Sequence, residues 1–391
     1  MLQSVLISLA FALEASARNL VPQLTGPYKV GTTVLELVDY SRQDPFAPTP
    51  RPRDLVVSLF YPTETRSRRV KNCTLAPQFP PATADLINMY INAPGVVETV
   101  TTRSCIGSPL SRPDLPLLFL GPGLGNPRLL YSDMAEEIAS QGWNVVSVDH
   151  PYDSFIVEYP DGRAVYATDS PIVNNGTDEE LIPEYLDARV KDTIFVLNSL
   201  ANSSVTSQIP GLGCPSLYSQ TNTHNAPKSK LRTDKVGVFG HSFGGASALQ
   251  LLKDDKRFYA GADLDGGVYG TVVQEGTDSP FLYLRAQNHT HITDPTWAAA
   301  WPNLRGFKRE YAVNEAKHGA FTDLPILRDL LGAEVLGPFA EGVGSIKGSR
   351  ILAIETAFLG AFFGRFLKGH GGELLDGKGL DNWPEVTLAE N

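Results

Sequence analysis

Lys235–Leu249 reads KVGVFGHSFGGASAL, and this stretch decides the fold. Lys235 to Phe239 is a short apolar run suited to a buried strand, and the residues from Gly245 to Leu252 open an apolar helix. Between them stands Gly240-His241-Ser242-Phe243-Gly244, a G-x-S-x-G. In that context the motif is a sharp, strained strand-to-helix turn that lifts a serine hydroxyl out of a sheet. Gly240 and Gly244 are required because side chains there would collide with the neighbouring strand and helix. The turn also sets Ser242 at a helix N-terminus, where free backbone N–H groups favour a developing anion.

The same strand–helix rhythm extends outward in both directions. Leu115–Leu120 and Trp143–Val148 are continuous apolar runs, as in strands buried on both faces. A helix is expected from about Leu129 to Gln141, and Tyr185, Leu186, Val190, Ile194 and Leu197 fall at helical spacing. Ala260–Leu264, Phe281–Leu284 and Arg309–Val313 read as further strands, and Arg350–Lys368 as a core-packed helix. Thr32–Tyr40 and Leu55–Tyr61 read as antiparallel strands that open the sheet. The fold class is α/β, with a mostly parallel central sheet and helices on both faces. Two polar insertions, near 152–180 and 203–233, interrupt the rhythm and read as surface loops.

A serine hydroxyl is a weak nucleophile without help, so an acid and a histidine should follow it in chain order. His318 lies just past the strand-like run Arg309–Val313, where α/β enzymes place catalytic groups. His370 comes late, in a Gly-rich loop, and His241 belongs to the elbow as a structural residue. His289-Thr290-His291 is a weak metal signal with no third ligand nearby, and reads as a solvated loop. Asp265 ends the strand Ala260–Leu264 and is the preferred acid, with Asp263 in reserve. Asp149 precedes Ser242 and breaks the order. An oxyanion hole needs two preset amides. Phe243 supplies one, and Leu124, in the Gly-rich turn Gly121–Gly125, is the candidate for the other. No metal and no organic cofactor are implied.

The chain has 391 residues, is 42% hydrophobic and carries a net charge of −10, so a large core is available. Its longest basic cluster is the short run Arg66–Lys71, which makes nucleic acid the poorest partner. Val5–Leu13 has the length of a signal-peptide h-region and Ala15-Ser16-Ala17 that of a cleavage site. The expected organisation is a signal peptide over 1–17 and a single catalytic domain over 18–391. Sequons at Asn72, Asn175, Asn202 and Asn288 point the same way, to a secreted glycoprotein. Of three cysteines, Cys73 and Cys105 bracket one loop-rich segment and form the expected disulfide, leaving Cys214 unpaired.

Taken together, GLG at 123–125 with LLYSDMAEEIASQGWNVVSVDH after it, GHSFGGASALQLL at 240–252, GADLDGG at 261–267 and KHGAFTDLP at 317–325 carry a resemblance. The chain resembles the plasma-type platelet-activating factor acetylhydrolases, secreted calcium-independent serine esterases of the α/β-hydrolase fold. The likeness spans roughly Leu115 to Leu324. It implies Ser242 as nucleophile, His318 as base, Asp265 as orienting acid and the Leu124 and Phe243 amides as oxyanion donors. The short Ser-to-acid spacing of that family, here 265 − 242 = 23 residues, supports Asp265 over Asp263. Pro122 stands where the family commonly has His, and His150–Asp153 where it has a charged run. The catalytic machinery therefore carries over more firmly than the substrate. The expected substrate is a small lipophilic ester, a short-acyl phospholipid first, with contact to a lipid surface. Phe155, Ile156, Trp297 and Trp301 are candidates to line its site. A general or cutinase-like carboxylesterase, or an acyl hydrolase for a specialised metabolite, is the alternative. A catalytically silent binding protein of the same fold is disfavoured by the intact Ser, Asp and His.

Overall fold

A computed structural model describes residues 19–63, 73–175, 178–213 and 230–389. The expected signal peptide, Asn72 and Cys214 lie outside the described residues, as does the side chain of Asn175.

The strands in chain order are β1 (Asn19–Leu20), β2 (Lys29–Gln43), β3 (Pro52–Thr63), β4 (Leu75–Pro77), β5 (Val100–Ile106), β6 (Pro116–Gly121), β7 (Asn144–Asp149), β8 (Ile156–Glu158), β9 (Ala164–Tyr166), β10 (Arg232–His241), β11 (Phe258–Leu264), β12 (Phe281–Ala286), β13 (Lys308–Val313) and β14 (Val386–Leu388). Twelve of them form one sheet in the order β1-β5-β2-β3-β7-β6-β10-β11-β12-β13-β14, with β4 paired to β5. The run from β7 to β13 is parallel throughout. β2 and β3 are antiparallel, as expected, and β3 joins β7 antiparallel.

The packing explains why the central strands are apolar at every position. Side chains of a strand alternate between faces. Leu118, Leu120, Phe239, Leu282 and Leu284 enter one core, while Leu117, Phe119, Val238, Phe281 and Tyr283 enter the other. The first core is closed by α2 (Ser132–Ser140) and α7 (Gly348–Phe363), and the second by α3 (Asp178–Ala201) and α4 (Phe243–Asp254). Shorter helices include α1 (Pro81–Ile91), α5 (Pro295–Ala300) and α6 (Leu324–Leu331). No helix among the described residues is long and apolar enough to cross a membrane. Cys73 and Cys105 form a disulfide that ties the segment entering β4 to β5.

Two expectations change. The insertion 152–180 is not a bare loop: β8 and β9 form a hairpin buried against Val56, and a short helix, Pro171–Asn175, follows. The second insertion begins with a helical turn, Ser203–Thr206, capped by Asn202, and its residues 214–229 lie outside the described ones.

Asp133, Glu136, Asp323 and Glu355 are buried together between α2, α6 and α7. Burial raises all four, carrying Glu136 up to about 8 and Asp323 to about 7. Both Asp133 carboxyl oxygens and Oε1 of Glu355 lack a hydrogen-bond partner, which suits protonated acids. A group whose folded pKa is raised stabilises fully below its unfolded value, about 4, and loses that contribution as pH rises through the folded value. Stability is therefore expected to fall as pH rises from about 4 through the raised values of Glu136 and Asp323. Denaturant unfolding at pH 5, 7 and 9 measures the slope, and Asp133→Asn should flatten it.

Candidate active site

Ser242, Asp265 and His318 follow β10, β11 and β13, at the carboxyl ends of parallel strands, where an open α/β sheet leaves its crevice. Ser242 has φ 56° and ψ −123°, a left-handed conformation rare for a side-chain-bearing residue. The turn closes only because its flanks are glycine: a Cβ on Gly244 would sit 2.0 Å from the Gly121 carbonyl oxygen, and one on Gly240 2.3 Å from the Gly244 backbone. Ser242 is partly exposed, and the helix α4 starts immediately after it.

His318 Nδ1 hydrogen-bonds Asp265 Oδ2 at 2.8 Å. Asp265 itself has φ 60° and is almost fully buried. Its Oδ1 accepts from the Ala286 amide at 2.8 Å and from His289 Nδ1 at 3.0 Å. Burial alone would raise this carboxyl, but the bonds from His289, His318 and Ala286 outweigh it and hold it well below the usual carboxylate range. The reserve acid, Asp263, points elsewhere: its Oδ1 accepts from the Gly266 amide at 2.8 Å, Oδ2 has no partner, and burial holds the carboxyl well above its ordinary value. Asp149 is buried in an ion pair with Arg128.

The Leu124 amide lies in the turn after β6 and the Phe243 amide opens α4; neither has an acceptor among the described residues. The turn is pinned by residues that sequence reasoning missed. Buried Arg189, on α3, donates to the carbonyls of Pro122 and Gly123, pairs with Asp153, and lays its guanidinium 4.9 Å from the centre of the Phe243 ring. In a trans peptide the C=O and N–H point oppositely. Holding the Gly123 carbonyl towards Arg189 therefore turns the Leu124 N–H away from it. On the other side the Gly123 amide donates to the Tyr131 hydroxyl at 2.9 Å, as does Asn126 Nδ2. With two donors received, that hydroxyl donates to His241 Nδ1 at 2.8 Å, and His241 Nε2–H donates to the His318 carbonyl at 2.9 Å. Burial and the neighbouring His318 lower His241 to about 3, so it is neutral and has one tautomer. His241 thus links the turn, the elbow and the backbone of His318. Nothing in the local pattern of Arg189 or Tyr131 marks them; the signal is their position in the fold.

The His289–His291 reading as a solvated loop is corrected. His289 is bonded to Asp265 and Asp294, and His291 to Glu310, each ring stacked on a tryptophan. Among the described residues no group of three His, Cys, Asp or Glu side chains is placed to hold a metal ion. A cleft of about 750 Å³ opens beside His318, lined by His289, Asp294, Glu315 and Lys317 among others. On the side of the 121–131 turn lies an apolar cavity of about 270 Å³, walled by Ile87, Tyr90, Leu130, Phe155, Leu324 and Phe339 and reaching Asn126. Of the four apolar candidates, Phe155 is in this wall. Ile156 and Trp297 are fully buried in the protein interior, and Trp301 packs against Lys308 and His291.

A mostly parallel sheet that delivers a strained serine, a carboxylate and a histidine from the ends of its strands defines an α/β-hydrolase. Comparison with known proteins agrees and goes further. The family model for platelet-activating factor acetylhydrolase, isoform II, matches residues 13–367, and the chain belongs to that family. A probable 1-alkyl-2-acetylglycerophosphocholine esterase of Arthroderma benhamiae is 30% identical over 98% of this chain and 97% of its own. The platelet-activating factor acetylhydrolase of Cavia porcellus is 24% identical over 88% of this chain and 78% of its own. Among solved structures, a ferulic acid esterase from Streptomyces cinnamoneus superposes with a TM-score of 0.75 at 29% identity, covering 96% of this chain and all of that one. The chain is a carboxylic ester hydrolase.

Proposed function

We propose that the chain is a secreted serine esterase that hydrolyses short-acyl phospholipid esters through an acyl-enzyme. The observation that carries the mechanism is the 2.8 Å bond between His318 Nδ1 and Asp265 Oδ2 beside the strained elbow of Ser242. His318 removes the Ser242 proton as its oxygen attacks the ester carbonyl, and Asp265 holds the imidazole tautomer and stabilises the imidazolium without taking the proton. The Leu124 and Phe243 amides receive the oxyanion, each such donor being worth about 2.7–4 kcal/mol of barrier. His318 then protonates the leaving alcohol, and water repeats the sequence on the acyl-enzyme.

The substrate class rests on the activities for which the relatives are named and on the apolar cavity next to the proposed oxyanion turn. Secretion is supported by the Cys73–Cys105 disulfide, which belongs to oxidising compartments, and by the exposed sequon residues Asn202 and Asn288. In this reading residues 1–17 are a signal peptide, 18–391 form the catalytic domain, and Asn72, Asn175, Asn202 and Asn288 carry glycans. The likeness to a ferulic acid esterase favours one alternative, a broader carboxylesterase. A phospholipid series with sn-2 chains from acetyl to long fatty acyl, run beside simple aryl esters, separates the two. A sharp preference for acetyl is the expected result; turnover of simple esters with none of phospholipids would discard the lipid substrate.

A further inference from the structure

We infer that His289 is a positioning residue for the ester-hydrolysing site, a cationic second imidazole that clamps the face of Asp265 not used by His318. The inference rests on the reading of Asp265 and His318 as the orienting acid and the base.

The geometry demands the charge. His289 Nδ1 is 3.0 Å from Asp265 Oδ1 and its Nε2 is 2.7 Å from Asp294 Oδ2. An ionised carboxylate only accepts, so both ring nitrogens must donate, and a ring with two N–H groups is an imidazolium. Neither carboxylate is free to drift. Asp294 Oδ1 caps α5 through the amides of Thr296 at 2.7 Å and Trp297 at 3.2 Å. Trp297, which is fully buried, stacks on the His289 ring with centres 4.4 Å apart and donates its indole N–H to the Gly266 carbonyl, one residue beyond Asp265. Burial would lower His289, but its bonds to Asp265 and Asp294 lift it to about 9. The titratable groups around it are Asp265 just past β11, Asp263 within β11, Asp294 from the cap of α5, and His318, Glu315 and Lys317 across the cleft.

Two effects follow. Asp265 is presented in one rotation, with Oδ2 left for His318. The positive charge on its other oxygen also offsets part of the carboxylate's hold on the His318 proton, which eases release of that proton. His289→Asn keeps an amide N–H for Asp265 and removes the charge. The acid limb of its kcat/KM profile is expected to move up by about one pH unit relative to the parent protein. His289→Ala loses the bond as well, and its plateau kcat should fall about tenfold or more. A limb that stays in place in folded His289→Asn would overturn the inference, since a purely structural brace would be restored by the amide. NMR titration of His289 in the Ser242→Ala protein tests the charge without disturbing the loop. Two protonated ring nitrogens at pH 7.5 are expected; an ordinary imidazole titrating near 6.5 would overturn it. Retained turnover in Ser242→Ala would instead defeat the serine mechanism, so the two failures are distinguishable.

Discussion

Ser242→Ala is expected to lower kcat by about 10⁵–10⁶-fold and to abolish labelling by an organophosphonate probe, with the fold unchanged. The size follows from the mechanism: without the oxygen there is no acyl-enzyme, and what remains is binding and the two proposed oxyanion amides. Alanine inherits the strained backbone, φ 56°, so it should not gain stability. Ser242→Gly tests that point separately. It should be equally inactive, yet about 1 kcal/mol more stable than Ser242→Ala, because glycine adopts a positive φ without penalty. Steady-state hydrolysis, probe labelling and denaturant titration of the two variants together divide catalysis from strain. Full labelling of Ser242→Ala would place the nucleophile elsewhere.

Arg189→Met is expected to be the most damaging change outside the proposed triad. Removing the guanidinium leaves Asp153 buried without its partner, a loss of about 3–5 kcal/mol. It also removes the bonds that Arg189 makes to the Pro122 and Gly123 carbonyls, leaving the Gly123 carbonyl to the Asn126 amide alone, so the Leu124 amide is held less firmly. Misplacing one oxyanion donor costs about 10²–10³ in kcat. The two losses come apart in Arg189→Met/Asp153→Leu. Replacing a buried ion pair by apolar groups is often neutral for stability, so the double variant should unfold like the parent while kcat stays low at similar KM. Recovery of kcat along with stability would show that Arg189 acts on folding alone.

The sequence was most legible where backbone geometry leaves no alternative. A strand, a G-x-S-x-G and a helix can share 15 residues in few ways, and the elbow stands where Gly240 and Gly244 required it. The parallel order from β7 to β13 was likewise implicit in apolar runs that need cover on both faces. Asp265 and His318 are readable as candidates because α/β sheets place functional groups past strand ends, and the structure hydrogen-bonds the two at 2.8 Å. The Cys73–Cys105 pairing came from their position around one segment.

What the local pattern could not supply were contacts between segments far apart in the chain. Arg189 lies 66 residues from the Gly123 carbonyl it holds, and Tyr131 lies 110 from His241. His289 looked like one of two histidines in a polar loop because its partners, Asp265 and the stacked Trp297, arrive from other elements. Local sequence determined which residues are proposed to carry the chemistry, since a strained turn and the ends of strands are written in short-range sterics and hydrophobic pattern. Tertiary structure alone decided how each is oriented and charged, because hydrogen-bond partners and desolvation are properties of the packed chain.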